Sequence, residues 1–215
     1  MTKRRKWTAI PGFLALAAAA TVLSAYSGAS SSQGREPAQP IAFPHPTHVK
    51  TLGMNCLYCH FSANKSPDPG MPAVSTCMGC HAIIGPDRPK SDLGPARKSA
   101  ELTKLYQFAD FEHQGKNARP IPWNRIHKVP DYVQFPHMRH VNAGVTCQSC
   151  HGQVQGMKTV YQYASLNMGW CLNCHVNGYK PAEGARLAGA PDSVIRAAEA
   201  LPVRKARYDC AVCHY

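Results

Sequence analysis

The sequence predicts a mostly α-helical chain with extensive loop and little or no sheet, built as two similar cassettes plus a terminal segment behind one N-terminal hydrophobic helix. Three observations predict it. Five copies of Cys-x-x-Cys-His use all ten cysteines of the 215 residues. A Phe-Pro-His-x-x-His-Val block occurs twice, each time shortly before one of those copies. A basic cluster at Lys3, Arg4, Arg5 and Lys6 precedes Ile10 to Tyr26, a stretch without charge that is rich in alanine and leucine.

The five motifs begin at Cys56, Cys77, Cys147, Cys171 and Cys210, and their second cysteines are Cys59, Cys80, Cys150, Cys174 and Cys213. Two thiols three residues apart with a histidine directly after them are the attachment pattern of c-type haem. The thiols form thioethers to the haem vinyls, and His60, His81, His151, His175 and His214 reach the iron as proximal ligands. Five covalently bound haems are expected. Structural zinc takes two such units per ion and leaves an odd fifth unit orphaned. Thioredoxin-like motifs come singly beside a βαβ pattern that is absent here. A disulfide framework gives no reason for a histidine after every second cysteine. Beyond the hydrophobic stretch there are under about 40 residues per motif, too few for a separate aliphatic core around each. The porphyrins themselves are therefore expected to form the core.

Charge does not indicate nucleic acid. Four of the 24 basic residues lie before Ile10, leaving 20 against 12 acidic residues, or +8 of the total +12. Five haems bring ten propionates, and basic side chains beside them make charge-assisted hydrogen bonds. No basic run with interleaved aromatics follows residue 6. The N-terminal layout fits a secretory signal or a short membrane anchor. It is read as an uncleaved anchor, with residues 1–26 forming a cytoplasmic tip and a span of the inner membrane, and the rest exported. Residues 27–40 read as a linker, rich in serine, glycine and proline.

Residues 41–215 read as one haem domain, with cassette 1 at 41–90, a connector at 91–134, cassette 2 at 135–180 and the fifth haem at 181–215. Phe43 to Val49 and Phe135 to Val141 are offset by 92 residues, which suggests duplication of one unit. His48 stands eight positions before Cys56, and His140 seven before Cys147. In the connector, Leu102, Leu105, Tyr106 and Ala109 have helical spacing, with Gly115 as a stop. Asp192 is a candidate cap for a helix running toward Leu201, with Pro202 ending it. Pro120 to Trp123 is expected to be extended.

Low-spin haem needs a second axial ligand. Six histidines lie outside the motifs, for five irons. His45, His48, His137, His140 and His127 are the expected distal ligands, with His113 and Met168 as alternates. Methionine ligation raises the reduction potential.

The paired-histidine blocks followed by haem motifs resemble class III multihaem cytochromes c. Pro122-Trp123-Asn124-Arg125-Ile126-His127, Phe135 to Val141 and Met168-Gly169-Trp170-Cys171 to His175 are similar to the pentahaem cytochrome c subunits of bacterial alternative complex III. That resemblance implies an electron-transfer subunit rather than an enzyme. It also implies partner subunits that bind quinol and iron–sulfur clusters, and an exported acceptor: a mono-haem cytochrome c, or a soluble carrier such as cytochrome c or a blue-copper protein. It adds support for His127 as a ligand and none for His113. Two alternatives stay open: a quinol-oxidising multihaem anchor of the nitrite-reductase type, and a multihaem redox enzyme. An enzyme needs an open iron position.

Overall fold

The computed structural model describes residues 9–26, 32–90 and 96–214. The expected linker lies partly outside them, as does the basic cluster. Each motif sits on a helical turn. The turns are α2 (Cys56–Cys59), α3 (Val74–His81), α6 (Cys147–His151), α7 (Met168–Asn177) and α10 (Cys210–Cys213), after the N-terminal α1 (Ala9–Tyr26). A turn brings positions i, i+3 and i+4 to one face, so in α3, α6 and α7 both cysteines and the histidine share a face, while His60 and His214 stand just past the ends of α2 and α10. Asparagine starts two of these turns. Asn55 accepts the Leu57 amide at 2.8 Å and Asn167 accepts the Trp170 amide at 2.8 Å.

The connector carries α4 (Ala100–Ala109), capped by Ser99, whose hydroxyl accepts the Leu102 amide at 3.3 Å. It ends earlier than Gly115, because Asp110 already takes the left-handed conformation at φ 47°. The Asp110 carboxylate then accepts from His113 and from the Asn117 backbone, which stabilises that turn. α8 (Pro181–Leu187) packs on α9 (Asp192–Glu199), whose preceding residue is Pro191; Asp192 is its first residue rather than its side-chain cap. Among the described residues the sheet is one two-residue antiparallel ladder, β1 (Asp87–Arg88) with β2 (Arg97–Lys98).

The two histidine blocks fold alike but not identically. The second forms α5 (His137–Asn142). The first winds as a π-turn over Pro46–Thr51, with Leu52 N–H donating to the Thr47 carbonyl. Cassette 1 has one residue more between block and motif, and a π-turn absorbs one extra residue.

The buried apolar set among the described residues is small: Ile41, Leu105 and Ile121 with five alanines. Ile41, Leu105 and Ile121 pack together against Val74, Cys77 and Met78 of α3. The surface area is 15577 Å². A globular chain of 23.4 kDa exposes about 9,700 Å². Part of the excess is α1, whose Phe13, Leu14, Leu16 and Val22 are exposed. Much of the rest lies beside the motifs, at Tyr58, Phe61, Met71, Ile83 and Ile84. α1 has 18 residues and covers the expected hydrophobic stretch. Among the described residues no helix is long and apolar enough to cross a membrane.

Candidate haem sites

Numbered by motif in chain order, the candidate sites are 1 (His60), 2 (His81), 3 (His151), 4 (His175) and 5 (His214). An axial histidine binds iron through one ring nitrogen while the other donates to an oxygen that fixes its orientation. Six histidines have a backbone carbonyl at Nδ1. His60 donates to Gly70 at 3.0 Å, His81 to Ile84 at 3.0 Å, and His48 to Pro44 at 3.1 Å. His137 donates to Pro67 at 2.9 Å, His140 to Pro136 at 3.2 Å, and His175 to Arg207. Nε2 is left for a metal in each.

Metal–imidazole bonds of about 2 Å on both sides of one ion separate two facing ring centroids by roughly 6 Å. His48 and His81 are 6.1 Å apart, His140 and His175 6.1 Å, and His137 and His151 6.5 Å. The second histidine of each block thus faces the second motif of its own cassette. Phe43 and Phe135 set this arrangement. Phe43 stacks on His48 at 4.3 Å and meets His45 edge-on at 4.8 Å. Phe135 stacks on His140 at 4.4 Å and meets His137 edge-on at 4.9 Å. In the sequence these phenylalanines stand out only by their constant offset from both histidines of each block, and that offset is the signal of their role.

The other ligand candidates are placed differently. His45 is half-buried, with Nδ1 unpartnered. His127 lies 4.2 Å from the His151 ring, closer than two ligands of one iron stand, and its Nε2 is buried without a partner. His113 is on the surface and holds Asp110 at 2.7 Å. No histidine ring among the described residues packs against His214; the ring beside it is Tyr132, at 5.7 Å. Met168 opens α7 and is exposed.

Burial favours the neutral form, the one that binds metal, at His45, His127, His137, His140 and His151. Burial lowers His45 to about 4, with the charges of His60 and His48 adding to it. Burial lowers His127 to about 4, assisted by His137. It lowers His151 to about 3, assisted by His127, His137 and His60. His137 and His140 are also lowered, first by burial. The donor set therefore fits haem iron. Paired thiols stand on helical turns, six imidazoles are aimed from backbone carbonyls, and apolar side chains around them are exposed.

Residues 133–215, which hold motifs three to five, match the family model for cytochrome c7 and related cytochrome c. This part of the chain is similar to multihaem cytochromes c. Over 160 residues the chain is 28% identical to the multihaem cytochrome c subunit of menaquinone reductase from Nitratidesulfovibrio vulgaris, covering 65% of this chain and 68% of that protein. Both similarities agree with the c-type haem attachment that the Cys-x-x-Cys-His motifs suggest.

Proposed function

We propose that the chain is an electron-transfer subunit that passes electrons through five covalent haems, between a quinone-linked membrane complex and an acceptor on the exported side. The three histidine pairs at 6.1, 6.1 and 6.5 Å carry this reading. Irons closed on both faces exchange electrons and leave no position for a substrate. Bound haem supplies reversible one-electron chemistry; the protein supplies the imidazoles, their fixed orientation and the neutral protonation state. The distal ligands are His45, His48, His127, His137 and His140.

The relative is a subunit of a menaquinone reductase, which supports a quinone-linked partner complex for this chain. Iron–sulfur and quinol-binding subunits, an alternative complex III assembly, a mono-haem cytochrome c or blue-copper acceptor, and anchoring of residues 1–26 in the inner membrane with the haem domain outside complete the proposal. The relative's name also favours a second reading, in which electrons run toward the quinone instead of from it.

Intact mass with a pyridine haemochrome assay tests the cofactor count, with five haems per chain expected and four or fewer contradicting it. Reduction of the native complex by a menaquinol analogue, compared with oxidation of the reduced complex by the corresponding quinone, gives the direction. Nitrite or hydroxylamine turnover by the isolated chain would overturn the relay in favour of an enzyme.

A further inference from the structure

Contacts between the motifs determine which sites are neighbours, and they do not follow the sequence. Within each cassette one phenylalanine holds two imidazoles three residues apart. The planes of His45 and His48 lie at 83° and 26° to Phe43, and those of His137 and His140 at 89° and 24° to Phe135. Rings inclined so differently serve different irons. The second ring of each pair faces site 2 or site 4. In the second pair the first ring, His137, lies where the two cassettes meet.

That meeting place is between sites 1 and 3. His137 donates through both Nδ1 and its backbone N–H to the Pro67 carbonyl, at 2.9 and 3.0 Å, in the loop that follows motif 1. Met138 N–H donates to the Ser66 carbonyl at 3.2 Å, and the Asn142 side chain donates to the Asn64 carbonyl at 3.0 Å. The same His137 ring is 6.5 Å from His151 of site 3. The π-turn of cassette 1 packs on the turn at Val154–Gly156, just beyond site 3.

Site 5 joins from the other side of cassette 2. His175 of site 4 donates to the Arg207 carbonyl, and Tyr179 and Arg204 exchange two backbone hydrogen bonds of 2.9 Å. Gln134 N–H donates to the Cys213 carbonyl at 2.7 Å, and Val133 bridges to His214. Among the described residues, no hydrogen bond or ring contact joins residues 204–214 to cassette 1.

We propose that the five sites stand in the spatial order 2–1–3–4–5, so that the cassettes join through sites 1 and 3 and the relay has sites 2 and 5 as its ends. This rests on the electron-relay reading. The two ends differ chemically. Site 2 presents Ile83, which is 90% exposed, and Ile84. Site 5 presents Arg204, Lys205 and Arg207, all exposed, with Arg207 paired to Asp209.

Iron positions in a crystal or cryo-electron-microscopy structure of the haem-loaded chain test the order. The shortest iron–iron distances are expected for 2–1, 1–3, 3–4 and 4–5, and the longest for 2–5. A site 2 iron lying between those of sites 1 and 3, as sequence order demands, would overturn it. Two double variants add a functional readout by flash photoreduction. Cys77→Ser with Cys80→Ser removes an end and should leave fast equilibration among the four remaining haems. Cys147→Ser with Cys150→Ser removes the middle and should abolish fast exchange between the two halves. Loss of fast exchange in the first variant, or its survival in the second, contradicts the order. A different iron order in a chain that still conducts sinks the order alone. The expected order in a chain that no donor reduces sinks the relay alone.

Discussion

Replacing His140 with alanine removes the ring that faces His175 across 6.1 Å and stacks on Phe135 at 4.4 Å. It also removes the Nδ1 donation to the Pro136 carbonyl at 3.2 Å. The lost stack costs about 0.5–1.5 kcal/mol and the hydrogen bond about 1 kcal/mol. A total of about 2 kcal/mol is tolerable for a domain with roughly 5–15 kcal/mol of stability, so the variant should still fold and carry its haems. A methyl group cannot reach the iron, and the vacated volume admits a diatomic ligand. The reduced variant is therefore expected to bind one more carbon monoxide per chain than the parent, and the oxidised variant to gain a high-spin signal. His113→Ala is the control, since His113 bonds Asp110 at the surface, and it should change neither readout. An unchanged carbon monoxide stoichiometry in a His140→Ala chain with unchanged haem content would refute the pairing of His140 with His175.

Met168→Ala is expected to leave the visible spectrum and the haem count unchanged, because Met168 is exposed and five histidines suffice for five irons; loss of the far-red band of thioether-ligated ferric haem in the variant would put Met168 in the ligand set. Gly184→Ala should destabilise the chain by roughly 1–3 kcal/mol, because a Cβ there would lie 1.7 Å from the Tyr179 hydroxyl, which accepts the Thr146 amide; denaturant melts of the haem-loaded forms measure it. Glu101 is held below its ordinary value by the Lys104 ammonium and the Ala42 amide, so its contribution is present above about pH 4.5 and is lost as pH falls through its lowered value. Glu101→Gln should lower stability by about 0.5–1 kcal/mol at neutral pH and flatten the acid limb of a stability–pH curve; parallel curves for the two proteins would count against this.

Local pattern made some elements legible. Leu102, Leu105, Tyr106 and Ala109 marked α4 by spacing, but its end depended on Asp110 accepting a left-handed turn ahead of the glycine. The duplicated blocks marked four histidines, and the one-residue difference in their distance to the motif reappears as the π-turn. The carbonyls that aim the imidazoles were not legible. They belong to Gly70, Ile84, Pro67 and Arg207, and any residue type offers a carbonyl. His127 shows the same limit. Its neighbourhood in sequence suggested a ligand, whereas its ring position beside His151 depends on how the connector crosses cassette 2.

The scarcity of buried aliphatic side chains bears on how the protein is made. Among the described residues, three such side chains and five alanines are too few to offset the conformational entropy of folding them. The polypeptide therefore has little capacity to fold before its prosthetic groups arrive, and each motif meets the attachment machinery as an open peptide. In that interval ten thiols are accessible together. Oxidation at this stage would cross-link the cysteines and close the attachment sites. In the proposed five-haem protein, biogenesis would then require a reductant that keeps the thiols apart until each is joined to a vinyl group, and folding would be the last step of cofactor insertion.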